Sequence, residues 1–281
     1  MSAFMKEFSP KEQEDIFSLV EKISGTKKAS KDKPHVFLNN IKRRMVEVNI
    51  SNLYDYISYA KKNQNEYDHL VSSLTIHTTH WFREPRHFSL IENEVIQSFS
   101  KKKIRVLSLG CSTGEEVYSI ALTLDKLRLL HPGFDYEVYG YDIDGVSVKK
   151  AVKCIYKDDG FEKIPEELKG NVLLGSGKTQ GLMTLSKNIR ERCHFDVMNA
   201  LKIQTNDIGL FDIVFCRNML IYFTTDQVQS IVRNLVNKLK VGGILCVGHS
   251  EDVSYYTKQL ERLTGSTYRK NKEPKQQLSP L

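Results

Sequence analysis

The first quarter of the chain carries apolar residues at the three- and four-residue spacing of amphipathic helices. Ser9 can cap a first helix, Pro10 suits its first turn, and Gly25 can end it. The apolar face of that helix would hold Ile16, Leu19, Val20 and Ile23. Residues 26–34 have the composition of a loop, and helical spacing returns in residues 35–48 and 51–62. The pattern therefore predicts an all-helical region that ends near residue 75.

From about residue 103 onward, short apolar runs alternate with helical stretches. The runs cover residues 104–109, 136–143, 192–198, 211–216 and 242–249. This alternation is typical of a parallel sheet whose strands are joined by crossover helices. The helix before the last run should begin at a capping box of Thr224 and Gln227, and we expect Gly242 and Gly243 to end it.

One stretch inside the second region breaks the alternation. Residues 173–185 contain two short extended runs around a Gly-rich turn, which predicts a small hairpin subdomain. The last residues are polar and lack periodicity. We therefore expect a helical basic domain at 1–75, an α/β domain at 76–270 with an insertion at about 158–192, and a disordered tail at 271–281.

Composition limits the possible classes of protein. The chain has 281 residues, 40% of them apolar, and a net charge of +7 from 41 basic and 34 acidic residues that are mixed along most of its length. Such a charge fits a solvated basic surface or an acidic partner. No apolar run approaches the roughly 20 residues of a membrane span, and the N-terminus lacks a signal-peptide core. We therefore expect a soluble, cytoplasmic protein without membrane insertion.

The cysteines and histidines give no sign of a metal site. The five cysteines are an odd number without zinc-finger spacing, and most of them lie in apolar runs, as buried thiols of a reducing compartment would. The eight histidines are scattered. We expect no metal ion.

The turn after the first strand has the composition of a ligand site. Gly110 and Gly114 flank it, and two acids, Glu115 and Glu116, begin the next helix. The spacing is not that of a dinucleotide-binding turn, and carboxylates would repel phosphate. They suit a cationic ligand that carries hydroxyls and an amine, as S-adenosylmethionine does. A strand-to-helix turn that uses glycine only for close packing would give the same pattern.

Polar residues also follow two other strands. Asp142 ends the second strand about thirty residues after Gly110, where an acid can accept two hydrogen bonds from a ribose diol, although Asp142 or Asp144 can equally cap the next helix. Arg217 and Asn218 follow the fourth strand. Because open α/β sheets bind ligands beyond the carboxyl ends of their strands, we expect these groups at one site.

Four stretches resemble the chemotaxis receptor methyltransferases of the CheR family, and they lie in that family's order. They are TTHWFRE at 78–84, LSLGCSTGEEVYSIAL at 107–122, FDIVFCRNMLIYF at 211–223 and GGILCVGHSE at 242–251. The resemblance implies a Rossmann-like α/β sheet of a class I S-adenosylmethionine-dependent methyltransferase, with a helical N-terminal domain and a small inserted β-subdomain. It further implies methyl transfer to the γ-carboxylate of receptor glutamates, giving a methyl ester and S-adenosylhomocysteine.

The resemblance also implies which residues form the site. Arg83 and Tyr222 would hold the reacting carboxylate. His77 stands where relatives usually have Asn, and its imidazole can still donate a hydrogen bond to the cofactor. With His77, the implied cofactor contacts are Thr79, Arg83, Glu116, Asp142, Asn199, Ala200, Arg217 and Asn218.

The implied partner is the cytoplasmic domain of methyl-accepting chemotaxis receptors. The inserted hairpin would dock a receptor C-terminal peptide by strand addition, and the basic helices would face acidic receptor helices. Two alternatives stay open: a class I methyltransferase that acts on RNA or a small molecule, and a non-catalytic module that binds the cofactor and signals. The absence of an Asn-Pro-Pro-Tyr site argues against amino methylation, and the presence of Arg83 and Tyr222 argues against a non-catalytic module.

Overall fold

Four helices form the N-terminal part of the chain in the computed structural model, which describes residues 7–26, 32–99 and 102–271. They are α1 (Pro10–Ser24), α2 (Pro34–Glu47), α3 (Leu53–Lys62) and α4 (Gln64–Ser73). Ser9 caps α1 in a capping box with Glu12, and Gly25 ends the helix with φ 78°, as the sequence predicts. Most of the predicted loop at 26–34 lies outside the described residues.

The four helices bury their own apolar core, with Phe37, Ile41, Tyr56 and Leu70 almost fully inaccessible. An ion pair lies beside this core, where Arg44 Nη2 contacts Glu66 Oε2 at 2.6 Å.

The second part of the chain is built on a seven-stranded sheet in the order β6-β2-β1-β7-β8-β10-β9. Its strands are β1 (Lys103–Leu109), β2 (Asp135–Asp142), β6 (Cys193–Val197), β7 (Phe211–Cys216), β8 (Leu239–Val247), β9 (Leu260–Thr264) and β10 (Thr267–Lys270). Its helices are α5 (Arg86–Glu94), α6 (Glu115–Leu130), α7 (Gly145–Lys153) and α9 (Thr225–Lys238). The five predicted runs all form strands, and neighbouring strands among them pair in parallel, so this prediction is confirmed.

The inserted stretch forms a separate three-stranded antiparallel sheet in the order β3-β5-β4. Its strands are β3 (Tyr156–Lys157), β4 (Val172–Leu174) and β5 (Leu182–Leu185), followed by the short helix α8 (Lys187–Arg190). Strands β4 and β5 are the two runs of the predicted hairpin. The predicted tail at 271–281 lies outside the described residues, apart from Asn271.

The prediction that Gly242 and Gly243 end α9 is wrong. The helix begins at the predicted capping box but ends at Lys238, and strand β8 starts at Leu239. The glycines lie inside the strand, next to an irregularity in its pairing with β7. A Cβ atom on Gly243 would lie 2.8 Å from the carbonyl oxygen of Asp212, so glycine is required there for close backbone approach.

The large sheet separates two apolar clusters because alternate side chains of each strand point to opposite faces. Helices α5 and α6 and the inserted sheet cover one face, and α9 with the 3-10 turn Ala200–Thr205 covers the other. The carboxyl ends of the parallel strands face the helical part. Among the described helices, none has both the length and the apolar composition that crossing a bilayer would need.

Candidate functional site

A cleft lies at the carboxyl ends of β1, β2 and β7, between the sheet and the N-terminal helices. The strand ends line one side of it. The segment 75–83, which we call the linker because it joins α4 to the α/β part, lines the other side together with Ser24 and Thr26 from the end of α1.

The turn after β1 uses its two glycines differently. Gly110 has φ 79°, its amide donates to the Tyr141 carbonyl at 2.7 Å, and a Cβ there would lie 3.0 Å from Met219 Sδ in the cleft wall. Gly114 begins α6, and a Cβ there would lie 2.7 Å from Ala151 Cβ of α7. Gly110 therefore keeps the cleft open, whereas Gly114 serves helix packing.

Asp142, at the end of β2, is held by backbone amides. Its Oδ2 accepts a hydrogen bond from Ser112 N at 2.7 Å, and its Oδ1 accepts one from Asp144 N at 2.9 Å. Burial raises the pKa of Asp142, and the two amides oppose that shift. Each carboxylate oxygen keeps a further lone pair for a ligand hydroxyl. The helix cap is supplied by Asp144, whose Oδ1 accepts from Val146 N at 2.9 Å.

A buried ion pair forms the floor of the cleft. The Arg217 side chain is 1% exposed, and its Nε donates to Glu116 Oε2 at 2.8 Å. Glu116 also accepts from Ser108 Oγ at 2.8 Å. The other acid of the turn, Glu115, bonds Thr113 Oγ1 at 2.7 Å instead, and burial raises its pKa. Only Glu116 of the two acids lines the cleft.

The polar residues after β7 also hold the end of the linker. Arg217 Nη1 donates to the Arg83 carbonyl oxygen at 2.6 Å, and Asn218 Nδ2 donates to Glu84 Oε1 at 3.1 Å. Asn218 has φ 56°, and its backbone amide donates to Glu251 Oε2 at 2.9 Å. The sequence analysis did not single out Glu84 or Glu251, although both lie in the stretches that carry the family resemblance.

Three further predicted residues lie in the lining. Arg83 Nη1 donates to the Thr78 carbonyl oxygen at 2.8 Å. The Tyr222 side chain packs against the helical core, and Lys33 Nζ lies 5.8 Å from its ring centroid. Asn199 Nδ2 donates to the Ile23 carbonyl oxygen at 3.4 Å, which ties the end of β6 to α1.

The structure brings all of the predicted site residues together except His77. The cleft is lined by Thr79, Arg83, Glu116, Asp142, Asn199, Ala200, Arg217, Asn218 and Tyr222. His77 lies on the opposite side of the linker, where its Nε2 is 2.8 Å from Thr75 Oγ1 and 3.3 Å from Asp144 Oδ2. Ser24 and Thr26 also line the cleft, and the sequence does not predict this because only the docking of α1 brings them there.

Three groups behind the floor could in principle ligate a metal ion, namely Glu84, His87 and His249. However, Arg217 Nη1 lies 3.1 Å from His87 Nδ1 and 3.7 Å from Glu84 Oε2. A metal cation there would face the guanidinium charge. The arginine itself supplies the positive charge of this cluster.

Comparison with known proteins gives matches over most of the chain. A family profile described as CheR methyltransferase, SAM binding domain, matches residues 77–269. The chain is 33% identical over 232 residues to the chemotaxis protein methyltransferase of Salmonella typhimurium, covering 82% of this chain and 79% of that protein. The Escherichia coli protein of the same name is 33% identical, with 82% and 80% covered. That of Klebsiella aerogenes is 31% identical over 244 residues, with 86% and 83% covered.

Proposed function

Because the chain belongs to the CheR methyltransferase family, we propose that it transfers the methyl group of S-adenosylmethionine to glutamate side chains of chemotaxis receptors. The products would be a glutamate methyl ester and S-adenosylhomocysteine. The observation that carries this proposal is the cleft, where nine of the predicted residues, from five chain segments, line one site beyond the strand ends. The receptors' cytoplasmic domains would be the substrate, so we also propose that the protein acts in the cytoplasm.

The residues of the cleft fit S-adenosylmethionine. The sulfonium is cationic, and the carboxylate of Asp142 gives one end of the cleft a negative charge, which disfavours phosphate-bearing ligands. In the floor, the charge of Glu116 is paired with that of Arg217. Asp142 would accept hydrogen bonds from the ribose hydroxyls. Gly110 leaves room for a ligand, because any side chain at that position would press on Met219. Thr79, Asn199 and Asn218 would supply further polar contacts.

When bound, the cofactor supplies an electrophilic methyl group on a positively charged sulfur. The attacking glutamate is already ionised near pH 7, so the protein need not provide a general base. Its task is to align the carboxylate and to remove the water that solvates it.

Arg83 and Tyr222 would hold the incoming carboxylate. In the described part of the chain the Arg83 guanidinium uses one of its five N–H donors, on the Thr78 carbonyl, so others can face a substrate. A contact to a single carboxylate oxygen is the productive one, because a tight bidentate pair would stabilise the ground state and slow attack. The Tyr222 hydroxyl would fix the second oxygen.

Two surfaces would recognise the receptor. On α2, Arg44 is neutralised by Glu66. The Arg43 side chain lies 4.0 Å from Glu47 in an exposed pair, is itself 72% exposed, and can meet acidic receptor helices. At the edge of the inserted sheet, β4 presents Leu173 and Leu174, which are 52% and 54% exposed. An edge strand with exposed apolar residues can add an extended receptor peptide as a further strand.

The test is a transfer assay with tritiated S-adenosylmethionine against receptor-containing membranes, RNA and buffer alone. We expect label in the receptor that mild base releases as methanol, since an ester is base-labile and an N-methyl group is not. Label in RNA would favour the nucleic-acid alternative, and cofactor binding without transfer to any acceptor would favour the non-catalytic module. Receptor binding that is insensitive to salt would contradict the proposed role of Arg43.

A further inference from the structure

The linker separates the cleft from a second cavity of about 500 Å³ between α2, α4 and α7. Thr75, Ile76 and Thr78 line both cavities, so this part of the linker is a thin wall. The His77 side chain points into the second cavity. Contacts that hold the His77 side chain in the second cavity therefore also fix the linker backbone that faces the cofactor.

The His77 side chain contacts residues of the two helices that flank the linker, α4 and α7. Its Nε2 lies 2.8 Å from Thr75 Oγ1, 3.0 Å from the Ser72 carbonyl oxygen and 3.3 Å from Asp144 Oδ2. Its Nδ1 lies 3.4 Å from Ser147 Oγ. The ring therefore bridges the end of α4 and the start of α7.

Asp144 is the buried centre of these contacts. Its side chain is 0% exposed, and Oδ2 accepts hydrogen bonds from Ser147 Oγ at 2.5 Å and from Ser72 Oγ at 3.1 Å. The Asp144 amide donates to Asp142 Oδ1 at 2.9 Å. A continuous chain of bonds thus joins His77 and Ser72 to the carboxylate that faces the cleft.

We propose that His77, Ser72 and Asp144 form a latch that positions the linker over the cofactor, which makes His77 a positioning residue for S-adenosylmethionine binding without any contact to it. This inference rests on the proposed function, because it concerns the affinity of the cofactor site. The latch joins the two walls of the cleft from behind: one end is the linker, and the other is the amide that orients Asp142. Loosening it lets the linker move away from the bound cofactor and weakens binding.

The test compares variants by calorimetry with S-adenosylhomocysteine. His77→Ala removes every contact of the ring and should raise the Kd about 10-fold, the effect of one or two lost hydrogen bonds. His77→Gln places an amide nitrogen near the position of Nε2 and should keep the Kd within about 3-fold of the native value. The kcat at saturating cofactor should stay within about 2-fold in both, because His77 does not touch the reacting groups.

The matched control is Lys149→Ala. Lys149 of α7 contacts Asp68 of α4 at 2.7 Å, so this ion pair joins the same two helices. Unlike the latch, the pair is near the surface, because the Lys149 side chain is 61% exposed, and it lies outside the cleft. The Kd should be unchanged in this variant. Equal weakening by His77→Ala and Lys149→Ala, or no weakening by His77→Ala, would overturn the latch.

Amide hydrogen exchange on the ligand-free protein gives an independent measurement. His77→Ala should speed exchange at residues 75–79 relative to the native protein, whereas Lys149→Ala should not. A native protein that binds no S-adenosylhomocysteine would refute the proposed function, and the exchange rates would still decide whether the latch holds the linker. Unchanged exchange at residues 75–79 in His77→Ala would refute the latch while leaving the proposed function standing.

Discussion

The two walls of the cleft are built by different means. On the strand wall, which consists of Glu116, Asp142, Arg217 and Asn218, every side chain is fixed by at least one hydrogen bond from within the protein. The linker wall is formed by an irregular segment together with the end of α1, and the side chains that line the cleft there are five hydroxyls, Ile76 and Arg83. The first wall is held by regular strands, whereas the second is held by the contacts that an irregular segment makes with its surroundings, such as those of Thr75 and Arg83.

Both walls would contact the cofactor, and the linker wall would also face the protein substrate through Arg83. A cofactor that is bound in every cycle gains from groups that need no reorganisation, which the strand ends provide. A protein substrate must enter, align and leave, which suits a segment outside regular secondary structure. The strain at their junction fits this view. Phe82 and Glu84 have φ of 50° and 56°. Arg217 donates to the backbone carbonyl of Arg83 between them, and Asn218 donates to the Glu84 side chain.

The strongest test of the strand wall removes the charge at its centre. Arg217→Ala would leave the carboxylate of Glu116, whose side chain is 12% exposed, without its cation. We expect the free energy of unfolding to fall by about 3–5 kcal/mol, as for one partner of a buried pair, measured by urea denaturation. Arg262→Ala is the control, because the Arg262 side chain is 45% exposed and its pair with Asp252 should contribute less than about 1 kcal/mol. Equal losses in the two variants would mean that the strand wall is no more rigid than the surface.

The second prediction concerns Asp142. Asp142→Ala should raise the Kd for S-adenosylhomocysteine about 50-fold in calorimetry, since hydrogen bonds to a charged acceptor are among the stronger ones. Asp196→Ala, at the exposed end of the adjacent strand, should leave the Kd unchanged. An Asp142→Ala protein with native affinity would rule out the ribose contact.

The same contact gives a pH dependence. Burial raises the pKa of Asp142, and the ribose hydroxyls need the ionised carboxylate, so affinity should fall as the pH drops toward that pKa. The Asp142→Asn protein has no carboxylate at this position and should lack this component of the pH dependence.

A somewhat smaller effect, on the pH dependence of stability, is expected from His87, whose Nδ1 lies 3.1 Å from Arg217 Nη1 in the floor of the cleft. Burial, and then the charge of Arg217, lower the pKa of His87 to about 4, while Glu84 raises it and His249 lowers it. In the unfolded chain the ordinary value is about 6.5, so the unfolded state takes up the proton first. Stability that is fully present above pH 6.5 is therefore lost as the pH falls toward 4.

Between pH 7 and pH 5 the loss should be about 2 kcal/mol in the free energy of unfolding. His87→Gln has no titrating ring and should lose correspondingly less over the same interval. Parallel curves for the two proteins would show that His87 is not held neutral.

The smallest effect is expected at the boundary between the walls. Tyr222→Phe should lower kcat about 5-fold, the value of one hydrogen bond, and leave the Kd for the cofactor unchanged. Tyr255→Phe is the matched control, because Tyr255 is 87% exposed and lies outside the cleft. A native kcat in Tyr222→Phe would remove its hydroxyl from the proposed alignment of the substrate.

The strands that the sequence did not predict show what local pattern lacks. The central strands β1 and β7 are largely apolar in sequence because both faces of the sheet are covered there. Strands β9 and β10 are short and largely polar, and they exist because Tyr268 is fully buried and β10 pairs with β8. That pairing depends on a neighbour distant in sequence, so no periodicity reveals it.

The sequence by itself determined the alternation of the five parallel strands with helices, the caps at Ser9 and Thr224, and the residue types at the strand ends, because these depend on neighbours a few positions away. Only the tertiary structure decided which side of each segment faces the cleft. In the folded chain His77 faces away from the cleft, and Glu116 rather than Glu115 lies in its floor. Ser24 and Thr26 reach the site only through the packing of α1. The physical reason is that a side chain's orientation follows from how whole elements pack, and packing joins residues that the sequence keeps far apart.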